Sequence, residues 1–81
     1  MAVVRLHGVL REETGVKEVE VPGSSLGEVL LGMPENVREV LERYSKYLVF
    51  LVNGRVVHKR DINLKPEDVV DVTIYVSGGS N

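Results

Sequence analysis

The sequence contains no cysteine and few aromatic residues. Without cysteine the chain forms no disulfide, offers no thiolate nucleophile and builds no cysteine zinc site. Its aromatic residues are three tyrosines and one phenylalanine, and its formal net charge is −2. Nucleic-acid-binding proteins need a basic surface, or aromatic side chains interleaved with arginine and lysine. We therefore expect no nucleic-acid partner.

Long apolar runs are also missing. No apolar segment approaches the roughly 20 residues that span a bilayer. Residues 1–8 alternate between apolar and polar side chains instead of forming the apolar stretch of a signal peptide. These features predict a soluble, cytoplasmic protein with no membrane partner.

The length of 81 residues predicts a single small domain. A chain of this size buries only somewhat more than about 60% of its unfolded surface, so its core is thin. A deep substrate pocket would compete with that core for the same side chains. An interaction module or a carrier is therefore favoured over an enzyme with its own active site.

The N-terminal quarter has the pattern of two strands. In residues 2–8, Val4 and Leu6 fall on one face, and in residues 16–21, Val19 and Val21 share a face. Residues 11–15 between them are polar and end in glycine. We predict that this segment is the turn of a hairpin.

Two helical segments follow. Ser25 and Glu28 have the spacing of a capping box, and an apolar stripe at helical spacing starts beside them. Pro34 interrupts the stripe and is predicted to be the first residue of a second helix, where its missing N–H costs nothing. Charged residues between Glu35 and Lys46 fill the opposite face, which we interpret as solvated surface. The second apolar stripe consists of Val37, Val40, Leu41 and Tyr44.

The C-terminal half has the pattern of three strands. Leu48-Val49-Phe50-Leu51-Val52 is a continuous apolar run, which suits a central strand. The following Asn-Gly at 53–54 is a strong hairpin signal, and the return strand begins at Val56-Val57. A turn over 64–68 leads into the last strand, 69–75. The order of elements predicts an α+β domain, in which one helix layer packs on one mixed sheet of four to five strands.

The histidines and carboxylates form no catalytic or metal-binding motif. His7 and His58 lie far apart in the sequence, so we interpret both as surface residues rather than as ligands. Glu67, Asp68 and Asp71 lie around the start of the last strand, with Asp71 on its solvent face. Glycosidase-like use of such carboxylates would need a cleft that this chain is too small to build. We predict no metal site and no bound cofactor.

Three features, taken in order, resemble the β-grasp (ubiquitin-like) sulfur carriers of the MoaD and ThiS type. The first is the opening pair of strands followed by a helix. The second is Phe-Leu-Val-Asn-Gly-Arg-Val-Val at 50–57, which is similar to their strand, Asn-Gly turn and return strand. The third is Leu-Lys-Pro-Glu-Asp-Val-Val at 64–70, which is similar to their Leu-x-x-Gly-Asp-x-Val turn, with Glu67 in place of glycine. The resemblance covers nearly the whole chain and is strongest to the small subunit of molybdopterin synthase.

The resemblance implies a β-grasp domain over residues 1–76 and a flexible, reactive tail over 77–81. A ubiquitin-activating-type enzyme would use ATP and Mg²⁺ to adenylate the carboxylate of Gly79. Sulfur would then displace AMP and leave a thiocarboxylate. Gly78 and Gly79 have no Cβ, so this stretch can thread a narrow channel. Val76 and Ser77 would be the spacer that the partner grips.

Two residues follow the glycine pair. While the amide between Gly79 and Ser80 is intact, Gly79 has no free carboxylate to adenylate. We hypothesise that Ser80 and Asn81 are removed before activation. In the molybdopterin pathway, the resemblance implies that sulfur then passes to a pterin precursor inside the large synthase subunit.

Other functions remain open at this point. The same activation serves ubiquitin-like modifiers, which link a terminal glycine to a lysine of a target protein, and tRNA-thiolation carriers. A β-grasp binding domain with an inactive tail is a further alternative. The resemblance also implies an apolar patch for partners on the outer face of the sheet, for which our candidates are Val52, Val57 and Tyr75.

Overall fold

The computed structural model describes residues 1–75 of the chain. The predicted boundary between a domain at 1–76 and a tail at 77–81 therefore lies outside the described residues. Within residues 1–75 the elements are β1 (Ala2–Leu6), α1 (Gly8–Thr14), β2 (Glu18–Val21), α2 (Leu26–Leu31), α3 (Glu35–Arg43), β3 (Leu48–Val52), β4 (Arg55–Val57) and β5 (Val69–Ile74).

The strands form one five-stranded sheet in the order β2-β1-β5-β3-β4. β1 and β5 run parallel at its centre, and the other neighbouring pairs are antiparallel. A parallel pair needs a crossover, and here it contains all three helices. The prediction of an α+β domain with one mixed sheet is confirmed.

One face of the sheet carries the hydrophobic core. Val4 and Leu6 of β1 and Val70 and Val72 of β5 are fully buried or nearly so, as strand alternation requires. The helices supply the other half of the core. Their buried side chains are Leu10, Leu26, Val29, Val37, Val40 and Leu41.

The segment predicted to be a polar hairpin turn is instead a helix, α1. Its one buried residue is Leu10, and Gly15 ends it in the left-handed region at φ 70°, with its N–H donating to the carbonyl of Arg11 at 2.8 Å. The prediction treated the polar residues 11–13 as loop, but they are the exposed side of a helix that covers the core with Leu10. β1 and β2 still pair antiparallel, as predicted, with Ala2 opposite Val21.

The predicted capping box is confirmed with one change. The Ser25 hydroxyl accepts the N–H of Glu28 at 3.2 Å, but the Glu28 carboxylate accepts the N–H of Ser24, not that of Ser25, at 2.9 Å. This bond, and a second one from the Ser24 hydroxyl, lower the pKa of Glu28. Pro34 is the N-cap of α3 and not its first residue, because its ψ of 152° is extended. The helix therefore begins at Glu35, one residue later than predicted.

No helix within residues 1–75 is long and apolar enough to cross a bilayer.

Candidate functional site

We call the face of the sheet opposite the core the outer face. It is mainly apolar on β1, β3, β4 and β5, whereas on β2 it carries Glu18 and Glu20. The register places Val3 opposite Val69 and Leu51 opposite Val56. Val56 is 53% exposed. The members of the outer face on β1, β3, β4 and β5 are Val3, Arg5, Val49, Leu51, Val56, Val69, Asp71 and Thr73.

The structure corrects part of the predicted patch. Val57 lies opposite Phe50, and Val52 lies opposite Val70. Residues directly opposite each other point to the same face of a sheet, and Phe50 and Val70 are buried in the core. Val52 and Val57 therefore pack against the core, and only Tyr75 of the predicted three is well exposed, at 64%.

A polar cluster interrupts the outer face. Asp71 accepts a hydrogen bond from the Arg5 Nε at 3.0 Å, and the same oxygen lies 2.7 Å from the His7 Nε2. The Asp71 side chain is only 17% exposed, whereas those of Arg5 and His7 are about half exposed. Burial works to raise the pKa of Asp71, but the hydrogen bonds from Arg5 and His7 outweigh it and lower the pKa. The cluster keeps an ionised carboxylate within an apolar surface.

The two segments whose motifs resemble the sulfur carriers, residues 50–57 and 64–70, meet at the start of β5. Asn53, at φ 51°, donates its side-chain N–H to Asp68 at 2.9 Å and accepts the N–H of Val69 at 2.9 Å. Asp68 also accepts the N–H of Lys65 at 2.8 Å. The backbone bond from Lys65 and then the bond from Asn53 lower the pKa of Asp68. These bonds, which we call the Asn53 clip, fasten the β3–β4 hairpin to the start of β5.

The Asn53 clip lies at the start of β5, and Tyr75, which precedes the predicted tail, lies at its end. β5 ends at Ile74, which lies opposite Leu48 at the start of β3. The N–H of Tyr75 donates to the carbonyl of Tyr47 at 2.6 Å, and the N–H of Tyr47 donates to that of Tyr44 at 2.8 Å. The side chains of Tyr47 and Tyr75 are 56% and 64% exposed. The predicted reactive residues, Val76 to Gly79, follow directly and lie outside the described residues.

An open groove of about 270 Å³ lies between α2, α3 and β3, on the helix side of the sheet. Leu30, Leu41 and Phe50 line it, and the guanidinium of Arg60 sits 5.4 Å from the centroid of the Phe50 ring. Its volume lies just below the range for small-molecule sites, which run from about 300 to 1,000 Å³. None of the residues predicted to act in function lines this groove.

Within the part of the chain that the structure describes, no group of three or more histidine or carboxylate side chains is arranged to hold a metal ion. His7 is paired with Asp71, and His58 is exposed beyond the end of β4.

The residues that sequence reasoning missed were readable in part. A two-residue Asn-Gly turn pairs Val52 with Arg55 and therefore Leu51 with Val56, so the outer-face position of Val56 follows from the turn alone. The bond between Arg5 and Asp71 has no such local signal. It depends on β1 and β5 lying side by side, and the two residues are 66 positions apart in the sequence.

The sheet order, the parallel central pair and the helix layer on one face together define a ubiquitin-like β-grasp protein. Solved structures with the same fold include the BexX/CysO complex of Amycolatopsis orientalis. That match has a TM-score of 0.80 and 21% sequence identity, and covers 98% of this chain and 100% of that chain.

Two further solved structures share the fold. The small archaeal modifier protein 1 of Methanosarcina acetivorans matches with a TM-score of 0.70 and 22% identity, over 96% of this chain and 95% of that chain. A chain in the complex of subunits 1 and 2 of the molybdopterin-converting factor from Helicobacter pylori 26695 matches with a TM-score of 0.67 and 20% identity, over 96% and 97%. No curated protein matches the chain significantly.

The chain matches the ThiS family over residues 4–79, which is nearly its whole length. It therefore belongs to the ThiS family, and the predicted resemblance to the β-grasp sulfur carriers is confirmed.

Proposed function

We propose that the chain carries sulfur as a thiocarboxylate on Gly79 and serves as the small subunit of a molybdopterin synthase. The observation that supports this most strongly is where the family match ends. It runs to residue 79, the second glycine of the tail, and leaves Ser80 and Asn81 outside. The family likeness thus includes the proposed reactive residue and stops at it.

The proposed chemistry needs a partner, because a carboxylate is a poor electrophile. A ubiquitin-activating-type enzyme joins the Gly79 carboxylate to the α-phosphate of ATP and releases pyrophosphate, with Mg²⁺ bound by the enzyme. A reduced sulfur donor then attacks the carbonyl carbon, the bond to AMP breaks, and a thiocarboxylate remains. This chain contributes the carboxyl group, and Gly78 and Gly79 leave the carbonyl accessible because they carry no Cβ.

The molybdopterin pathway is the proposed destination of the sulfur, and the large synthase subunit is the second partner. Two observations support this choice. The motifs at 50–57 and 64–70 resemble those of the molybdopterin synthase small subunit, and a chain of the H. pylori complex, which pairs two subunits of the molybdopterin-converting factor, has the same fold. The outer face, with Val3, Leu51 and Val56, is the surface that we propose meets these partners.

A protein modifier is the second candidate function. The small archaeal modifier protein 1 shares this fold with a TM-score of 0.70. In that case Gly79 would form an amide with a lysine of a target protein after the same adenylation step.

Cells that lack the gene and receive variants of it distinguish the two functions. A version ending at Gly79 should restore molybdoenzyme activity, and a version lacking Gly78 and Gly79 should not. Restored activity without conjugates supports the carrier. Conjugates of high mass that survive denaturant and reductant, with no change in molybdoenzyme activity, would contradict the carrier and support the modifier. Equal molybdoenzyme activity of the two versions, with no conjugates from either, would overturn both functions, since neither works without the glycines.

A further inference from the structure

We propose that Tyr47 and Tyr75, which we call the collar, form a docking contact for the rim of the adenylating enzyme's channel. This inference rests on the proposed function and names a part of the partner surface that the tail chemistry alone does not. The collar residues are the two exposed aromatic side chains at the point where β5 ends.

The length of the tail requires such a contact. Gly79 is four residues beyond Tyr75. A fully extended chain spans at most about 3.3 to 3.6 Å per residue, so the Gly79 Cα can lie no more than about 14 Å from that of Tyr75. An enzyme that encloses the Gly79 carboxylate and its adenylate must therefore bring its surface down to the base of the tail. Whatever is exposed there enters the interface.

The collar is built to make such a contact at low cost. The backbone of Tyr47 is held on both sides, because its N–H donates to Tyr44 at 2.8 Å and its carbonyl accepts the N–H of Tyr75 at 2.6 Å. Two large rings are thus exposed on fixed backbone. Tyrosine offers much contact area with only two side-chain torsions to restrict, and it is enriched among the residues that dominate interface energies.

Two other exposed apolar side chains lie elsewhere, and the one on the helix side of the sheet provides a control. Leu31, at 75% exposure, ends α2 on the helix side of the sheet. Val56 lies opposite Leu51 of β3. Leu48, the residue of β3 that lies opposite the end of β5, is three residues, or about 10 Å, away along the strand. The partner surface that fits the collar is apolar or aromatic, with hydrogen-bond acceptors for the two phenol groups.

The test is steady-state adenylation of the chain ending at Gly79 by the ubiquitin-activating-type enzyme of the same genome, measured as pyrophosphate release. Tyr47→Ala and Tyr75→Ala should each raise KM for the carrier at least about fivefold, with kcat within about twofold. Tyr47→Phe and Tyr75→Phe should retain most of the affinity, because the ring remains. Leu31→Ala should leave both constants unchanged. Far-UV circular dichroism and thermal unfolding check that each variant folds.

A second measurement does not depend on the chemistry. A chain ending at Tyr75 should still bind the enzyme weakly, and Tyr47→Ala in that short chain should weaken the binding further by a similar factor. Wild-type kinetics in folded Tyr47→Ala and Tyr75→Ala variants would overturn the collar while leaving the proposed function intact. Failure of the unmutated chain ending at Gly79 to release pyrophosphate would overturn the proposed function, and the collar with it.

Discussion

At the scale of single residues, Asp71 shows how a charged group is kept on a surface that is otherwise suited to docking. Its carboxylate bonds both Arg5 and His7, and it is the least exposed of the three. The pair with Arg5 lies on directly opposite strand residues, so the sheet holds the two backbones next to each other. This arrangement makes Asp71 a contributor to stability that depends on its ionisation.

Asp71→Asn should lower the free energy of unfolding near neutral pH by about 1 to 2 kcal/mol, because it removes a charged acceptor from Arg5. The folded-state pKa of Asp71 lies below its ordinary value. Its stabilisation is therefore present above the unfolded-state pKa of about 3.9 and is lost as the pH falls through the lower folded-state pKa. Urea unfolding of both proteins at about pH 6 and about pH 2.5 should show the difference shrinking at the acidic pH.

The control for this experiment is Glu18→Gln, which removes a neighbouring charge that acts on Arg5 without removing a hydrogen bond. Glu18 is exposed, so its replacement should change stability by less than about 0.5 kcal/mol. If the effect of Asp71→Asn were equally large at both pH values, ionisation of Asp71 would not be the source of its stabilisation.

At the scale of elements, the Asn53 clip carries more of the fold than a hairpin turn usually does. Besides closing the turn between β3 and β4, Asn53 bonds Asp68 and Val69 at the start of β5. It therefore joins two antiparallel strand pairs at one residue. A turn residue chosen only for its φ would not supply these bonds.

Replacement of Asn53 by glycine and by alanine separates its two roles. Asn53→Gly keeps the freedom to adopt positive φ and loses the side-chain bonds, so it should cost about 1 to 2 kcal/mol of unfolding free energy. Asn53→Ala should cost roughly 1 kcal/mol more, because a Cβ is strained at φ 51°. Thermal or urea unfolding measures both. Equal stability of the alanine variant and the wild type would contradict the clip.

Local patterns in the sequence were sufficient for most elements. Alternation placed β1, β2 and β5, the Ser25 cap placed the start of α2, and Asn53-Gly54 placed the β3–β4 hairpin. α1 was missed because its only buried residue is Leu10, and no helical stripe forms from one residue. α1 is stabilised by packing against β5 and α3, which are distant in sequence, so no local pattern predicts it.

The candidate site divides in the same way. Which residues share the outer face follows from strand period and turn length, and the error over Val57 came from not applying the Asn-Gly register. The Arg5–Asp71 pair and the joining of Tyr75 to Tyr47 depend on which strands become neighbours. The tail residues Val76 to Gly79 were selected from their place at the end of a recognised pattern. They lie outside the described residues, so their role stays a prediction.

At the scale of the whole molecule, one five-stranded sheet separates the core from the outer face. The sheet buries a core on one side and carries the outer face on the other, and β5 ends where Tyr75 bonds Tyr47. Within residues 1–75 no cluster of metal ligands is found, and the groove at α2 and α3 contains none of the proposed tail residues. The proposed function assigns the chemistry to partner enzymes and gives this chain only the carboxyl group of Gly79.

We propose that Gly79 carries sulfur once it is the terminal residue, and intact-mass spectrometry tests this directly. The chain ending at Gly79 and the 81-residue chain are each incubated with the adenylating enzyme, ATP, Mg²⁺ and a sulfur donor. Only the chain ending at Gly79 should gain the mass of one oxygen exchanged for one sulfur. Neither an adenylate nor a thiocarboxylate on either chain would contradict it and would leave a β-grasp binding domain whose function does not reside in the tail.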